Sequence, residues 1–210
     1  MFIVKRLPLG EMAANCYLVF DSISRECLII DPADEADFIA RVIAELDLKP
    51  KAIYGTHGHF DHLMAAAELK LIYKIPFCLN PKDSFLVKRL VATSKKFSKV
   101  ETLPIKVDIS LMEGDRISLG KEEFLLKETP GHTPGSVSFC GEKTVFIGDL
   151  FFKDGSIGRY DFSYADKDQL LKSIAKILGL SKKTILYPGH GEEFPLRGFR
   201  LPSSKNGFAS

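Results

Sequence analysis

The sequence predicts a mixed α/β protein with two β-sheets face to face and helices on the outside. Three observations point there. Short β-rich runs cluster in both halves of the chain, helical runs accompany them in each half, and no repeat or linker divides the two. With 210 residues, 45% of them apolar and 27% charged, the chain can bury a large core, and the expectation is one domain over 1–210.

In order, residues 2–7, 16–20 and 27–30 are β-rich runs separated by tight punctuation, the last closing on Asp31-Pro32, and they predict an antiparallel meander. Over 35–46, Phe38, Ile39, Val42, Ile43 and Leu46 recur at the spacing of an amphipathic helix, with Pro50 beyond it. Residues 51–55 read as a strand, 60–73 as a second apolar helix, 76–79 as a short strand, and 81–97 holds a third helix. The second half repeats the scheme with strands over 108–112, 116–119, 124–127, 137–140 and 144–147. Asp166 and Gln169 make a capping-box-like start to a late helix with the apolar face Leu170, Leu171, Ile174, Ile177 and Leu178, and Gly179 reads as its C′ residue. A last strand, 184–187, runs into Pro188-Gly189-His190-Gly191.

Charge and cysteines narrow the function classes. Twenty-nine basic against 27 acidic residues leave +2, and the basic residues are scattered, which argues against nucleic acid or an anionic membrane as partner. No stretch approaches the ~20 apolar residues of a membrane helix, and the amino terminus lacks a signal-peptide core. Cys16, Cys27, Cys78 and Cys140 sit singly in apolar runs without C-x-x-C spacing and read as buried thiols. The expectation is a cytoplasmic protein, monomer or homodimer, acting on a small molecule.

The chemistry is concentrated in the five histidines, all in Gly- or Pro-rich segments at predicted strand ends. Three lie in Thr56-His57-Gly58-His59-Phe60-Asp61-His62, a pattern that shuffling would produce on the order of once in ten thousand chains. The others are His132, in Thr129-Pro130-Gly131-His132-Thr133-Pro134-Gly135-Ser136, and His190. A single strand-end histidine is more often a hydrogen-bonding residue than a ligand, and His132 or His190 alone would carry that reading. The cluster reverses it. Imidazole and carboxylate suit zinc, iron and manganese. His57 and His59, two apart on an extended loop, can converge on one ion, while Asp61 and His62, entering a helical turn, point toward a second. Asp149 follows the apolar run 145–148, where a charge is otherwise costly, and is the candidate bridging carboxylate.

These segments, with Phe146-Ile147-Gly148-Asp149-Leu150-Phe151 and Gly155-Ser156-Ile157-Gly158-Arg159-Tyr160-Asp161-Phe162, resemble metallo-β-lactamase-fold hydrolases of the glyoxalase II (hydroxyacylglutathione hydrolase) branch, in their short single-domain form. The resemblance implies a four-layer αββα sandwich with the site on the edge between the sheets. It implies the partition of ligands: His57, His59, His132 and bridging Asp149 for one ion, Asp61, His62, His190 and the same Asp149 for the other. Full-length glyoxalase II enzymes carry a helical glutathione-holding domain after the last metal histidine, whereas 19 residues follow Gly191 here.

The chemistry expected is hydrolysis of a thioester of the S-lactoylglutathione kind. Two divalent ions, zinc in the first place and iron or manganese otherwise, would lie ~3.5 Å apart and supply a bridging hydroxide at neutral pH, with Asp61 or Asp149 orienting it. A thiol with a pKa of about 8.5 leaves without a strong general acid, which an amide would require. The alternative in another class is an iron-dependent persulfide dioxygenase, which by resemblance would use His57, His132 and Asp149; a lactonase is a third reading. Arg159 is the candidate substrate contact, either clamping a carboxylate or pairing with Asp161, and Tyr160 and Lys153 are weaker candidates. The tail, with Phe194, Leu196, Phe199 and Leu201, is read as packing on the sandwich or covering the cleft in a partner subunit.

Overall fold

The computed structural model describes residues 2–200. The first sheet opens with the expected antiparallel meander of β1 (Phe2–Leu9), β2 (Ala14–Asp21) and β3 (Glu26–Ile30). It continues with three parallel pairings through β4 (Lys49–Tyr54), β5 (Phe77–Leu79) and β6 (Ile109–Ser110). The crossovers carry α1 (Ala36–Glu45), α2 (Ala66–Tyr73), α3 (Ser84–Val87) and α4 (Leu90–Phe97). The second sheet contains β7 (Arg116–Leu119), β8 (Glu122–Glu128), β9 (Val137–Cys140), β10 (Thr144–Gly148), β11 (Ile185–Pro188) and β12 (Phe194–Pro195), neighbours in the order β12-β11-β10-β9-β8-β7. Helix α5 (Lys167–Leu178) joins β10 to the parallel β11.

Strand periodicity explains the layers. All eight residues of β2 are buried, because its two faces point into different cores. Tyr17 and Val19 pack between the sheets with Phe124, Leu126, Phe139 and Phe146, while Cys16, Leu18 and Phe20 pack with Ile39, Ile43 and Leu69 of α1 and α2. On the far side Leu170, Ile174 and Ile177 of α5 cover Val145, Ile147 and Leu186. The succession is helices, sheet, sheet, helix, the αββα sandwich. No helix among the described residues is long and apolar enough to cross a membrane. The cysteines are free thiols; burial pushes Cys27 and Cys78 up to about 12 and Cys140, which is half-buried, up to about 11.

Three expectations need correction. The apolar run 60–73 is not one helix: a 3-10 turn, Phe60–His62, is separated from α2 because the Met64 and Ala65 amides donate to the carbonyls of Ala33 (3.0 Å) and Pro32 (3.0 Å) instead of continuing a helical ladder. The region 81–97 does hold helix, as expected, in the two short pieces α3 and α4 after a 3-10 turn at Pro81–Asp83. The strand over 108–112 shortens to β6 and belongs to the first sheet, where Asp108 accepts the Phe77 amide at 2.8 Å and pins the segment to β5. Gly179 is the C-cap itself, with right-handed φ −74°, and the helix closes by a tighter turn from the Leu180 amide to the Ile177 carbonyl at 3.0 Å.

Two local expectations hold. Asp166 caps α5, accepting the Gln169 amide at 3.0 Å and its side-chain amide at 2.8 Å. Asp166→Ala is expected to lower Tm by about 2–4 °C, with Asp166→Asn, whose side-chain oxygen can still accept the Gln169 amide, recovering most of the loss, as read by thermal unfolding; unchanged melting of the alanine variant would contradict it. The tail packs on the sandwich through Phe194, Leu196 and Phe199 beside Phe151, while Leu201 lies outside the described residues.

Candidate metal centre

The loops after β4, β8, β10 and β11 meet on one edge of the sandwich. The Val137 amide donates to the Thr56 carbonyl at 2.8 Å, tying the sheets together there. The loop after β11 is drawn in from the other side: Tyr17 and Asn15 of β2 donate to the Pro188 carbonyl at 2.6 and 2.9 Å, and the Asn15 amide to the Gly189 carbonyl at 2.7 Å.

Each histidine has one ring nitrogen fixed by the protein and the other turned inward. His57 Nδ1 lies 3.0 Å from Thr56 Oγ1, His59 Nε2 lies 2.8 Å from Tyr164 Oη, and His132 Nδ1 lies 2.8 Å from the Arg159 carbonyl. Their inner nitrogens converge: His59 Nδ1 is 3.1 Å from His57 Nε2 and 2.9 Å from His132 Nε2. His62 Nδ1 faces Asp31 Oδ2 at 3.2 Å and His190 Nδ1 faces the Met12 carbonyl at 3.1 Å. The inner Nε2 atoms of His62 and His190 lie 3.6 and 3.4 Å from Asp61 Oδ2. Anchoring the outer nitrogen sets tautomer and ring orientation, the support that metal-binding imidazoles receive.

Asp149 lies between the two groups. Its Oδ2 is 3.6 Å from His132 Nε2 and 3.7 Å from His190 Nε2, and its Oδ1 is 3.6 Å from His62 Nε2. Two of these atoms, His62 Nε2 and Asp149 Oδ1, are buried with no hydrogen-bond partner among the described residues. Such orphaned atoms cost about 1–3 kcal/mol each unless something meets both. A divalent cation does, and the donor sets His57/His59/His132 and Asp61/His62/His190, with ligand atoms within 4.8 Å of one another, suit two ions. A third acidic group, Asp31/His57/His62, is a support network, because both Asp31 oxygens are taken by Thr56 and His62.

The charge states of His57, His59, Asp61 and Asp149 agree with ligand chemistry. Burial, reinforced by neighbouring imidazoles, holds His57 well below the usual histidine range and His59 down to about 3, so both are neutral. Burial opposes ionisation of Asp61 and Asp149, yet His62 and His190 outweigh it and hold both carboxyls below their usual range. The same carboxylates outweigh burial at His62 and raise it well above the usual range.

The metallo-beta-lactamase superfamily profile matches residues 9–190. The chain belongs to this superfamily. Hydroxyacylglutathione hydrolase GloC of Haemophilus influenzae is 36% identical over 198 residues, spanning 90% of each chain. Among solved structures, BLEG-1 B3 metallo-beta-lactamase superposes with a TM-score of 0.84 at 33% identity, over 93% of this chain and 94% of that one. TTHA1623 in a di-iron-bound form superposes with a TM-score of 0.83 at 34% identity, over 92% of this chain and 95% of that one.

In this superfamily member the two clusters open into a cavity of about 910 Å³, with Phe60, Phe97, Phe152, Ile157 and Phe162 among its walls. Arg159 reaches its edge, but its guanidinium is engaged by Asp161 at 2.9 and 2.7 Å and lies 4.4 Å over Phe162, the bracing arrangement of the two considered for it. Tyr160 is not among the cavity walls; it packs on the core beneath α5, with Lys167 Nζ 4.8 Å over its ring. Tyr164 stands in the cavity instead. Sequence reasoning missed Tyr164 and Asp31. Asp31 carried a usable signal, since it ends an apolar strand just as Asp149 does, whereas nothing local to Tyr164 marks it.

Proposed function

We propose that this protein is a binuclear metal hydrolase of the glyoxalase II (hydroxyacylglutathione hydrolase) type that cleaves thioesters, with His57, His59 and His132 holding one ion, Asp61, His62 and His190 the other, and Asp149 both. One observation carries the reading: two complete ligand sets share Asp149 at the floor of a cavity whose remaining walls are mostly apolar. When bound, two divalent ions supply a water of near-neutral pKa and polarise a carbonyl. Asp61, ionised and with its Oδ2 3.6 and 3.4 Å from the Nε2 atoms of His62 and His190, is placed to accept a proton and orient the attacking water. Tyr164 holds the His59 ring, and its own hydroxyl, pushed up to about 12 chiefly by burial, stays protonated at neutral pH. Phe60, Phe152 and Phe162 exclude bulk water from the reacting bond. Three of the charged cavity groups are committed elsewhere: Lys153 to Glu192 at 2.6 Å, Arg159 to Asp161, and Asp154 to Ser156. A leaving group that departs as a thiolate fits such a site.

Zinc is the metal we assign. Iron, and with it a persulfide dioxygenase using His57, His132 and Asp149, is the second reading, favoured by the di-iron form of the relative at 34% identity. The test is one preparation loaded with zinc alone and assayed under nitrogen against S-lactoylglutathione, a lactone and a β-lactam. Thioester hydrolysis faster than cleavage of either ring is expected, because hydroxide attack needs a Lewis acid and no redox change. Activity that appears only with iron and consumes oxygen with a persulfide would overturn the hydrolase reading; faster β-lactam cleavage would move it to a lactamase.

A further inference from the structure

The cavity carries one cation, Arg89, that no group among the described residues neutralises. Three basic side chains reach it, Arg89, Lys153 and Arg159. Lys153 is paired with Glu192 at 2.6 Å, and Arg159 is held by both oxygens of Asp161. The Arg89 guanidinium has no ion pair and no hydrogen bond among the described residues, and its charge acts on the phenol of Tyr164, which in turn touches His59. Its place in the chain is regular: Leu86 of α3, Arg89 at the N-cap of α4, and Thr93 and Phe97 of α4 follow at three- and four-residue spacing, and all four line the cavity. The wall therefore presents one unpaired guanidinium between two apolar side chains.

We infer that Arg89 is the specificity-determining residue of this cavity, and that the substrate is an amphiphilic thioester whose apolar part lies along Leu86 and Phe97 while its carboxylate meets the Arg89 guanidinium. A guanidinium offers a planar fork of donors that matches a carboxylate in a bidentate pair, and Arg89, itself exposed, holds that fork open to a ligand in the cavity. The inference rests on the thioesterase reading for the words "thioester" and "substrate", but the recognition it describes does not depend on catalysis.

The experiment separates the two. Binding of S-hexylglutathione, a thioether that cannot be hydrolysed, and of its diethyl ester is measured by calorimetry on zinc-loaded wild type, Arg89→Leu and Arg89→Lys, with metal content determined on each sample. The expected result is about tenfold weaker binding of the free acid by Arg89→Leu, an unchanged ester, partial recovery in Arg89→Lys, and equal metal content. Added salt should weaken the acid on wild type more than on Arg89→Leu. Equal affinity of wild type for acid and ester, acid binding by Arg89→Leu as tight as by wild type, or no binding of either probe would each overturn the inference. Loss of thioester cleavage with this binding pattern intact would overturn the proposed function alone.

Discussion

Replacing Asp149 with alanine is expected to release both divalent ions and to reduce hydrolysis by a thousandfold or more, about 4 kcal/mol of transition-state stabilisation. The reason is position. Asp149 lies against the inner nitrogens of both donor sets, with His132 and His190 at 3.6 and 3.7 Å from Oδ2 and His62 at 3.6 Å from Oδ1. Burial alone would neutralise such a group, and three imidazoles are what keep it an anion. His190→Ala should behave differently, because it leaves His57, His59 and His132 with their outer partners undisturbed and removes a ligand from one set only. Metal analysis after exhaustive dialysis reads both variants: two ions per chain retained by Asp149→Ala, or equal loss of both ions in His190→Ala, would show that the carboxylate is not shared.

The contrast between Asp149 and its neighbours shows what was legible. Asp149 announces itself because a charge ends an apolar strand, and the H-x-H-x-D-H run is dense enough to mark a site by itself. Strand alternation and helical spacing are short-range patterns, so most elements of both sheets, α1 and α5 were legible with bounds within a few residues. The break in 60–73 was not, because the groups that cause it are the carbonyls of Pro32 and Ala33, some thirty residues away in the chain. The place of 108–112 in the first sheet was hidden for the same reason: the segment that holds it there, Phe77 and β5, is distant in sequence. Arg89 escaped notice because an unpaired guanidinium is defined by the absence of neighbours, which only the folded chain shows.

Asp83 is the residue whose importance was least legible, and Asp83→Ala is expected to lower stability by about 3 kcal/mol and to weaken the ion held by His57, His59 and His132 by roughly 10–100-fold. Asp83 is fully buried at the end of the 3-10 turn before α3. Its Oδ2 accepts the Gly58 amide at 2.7 Å and the Thr133 hydroxyl at 2.6 Å, and its Oδ1 accepts the Gly135 amide at 2.7 Å. Gly58 lies between His57 and His59, and Thr133 follows His132, so one carboxylate ties together the two loops that bring His59 Nδ1 within 2.9 Å of His132 Nε2. The approach is close enough to require glycine: a Cβ on residue 58 would lie 2.9 Å from Asp83 Cβ, and one on residue 135 would lie 2.6 Å from Asp83 Cγ. Burial pushes the carboxyl above its usual range while the three donors work against that rise. Removing the acceptor leaves buried donors unsatisfied, which is where the stability loss arises. Asp83→Asn separates shape from chemistry, since it fills the same space but turns an NH₂ group toward a backbone amide or a hydroxyl. It should therefore lose nearly as much as alanine in thermal unfolding and in competition with a chelator, while the ion held by Asp61, His62 and His190 binds as in wild type. Wild-type melting and metal affinity in Asp83→Asn would mean that the residue merely fills space, and equal weakening of both ions would mean that the tie is not specific to the first pair of loops.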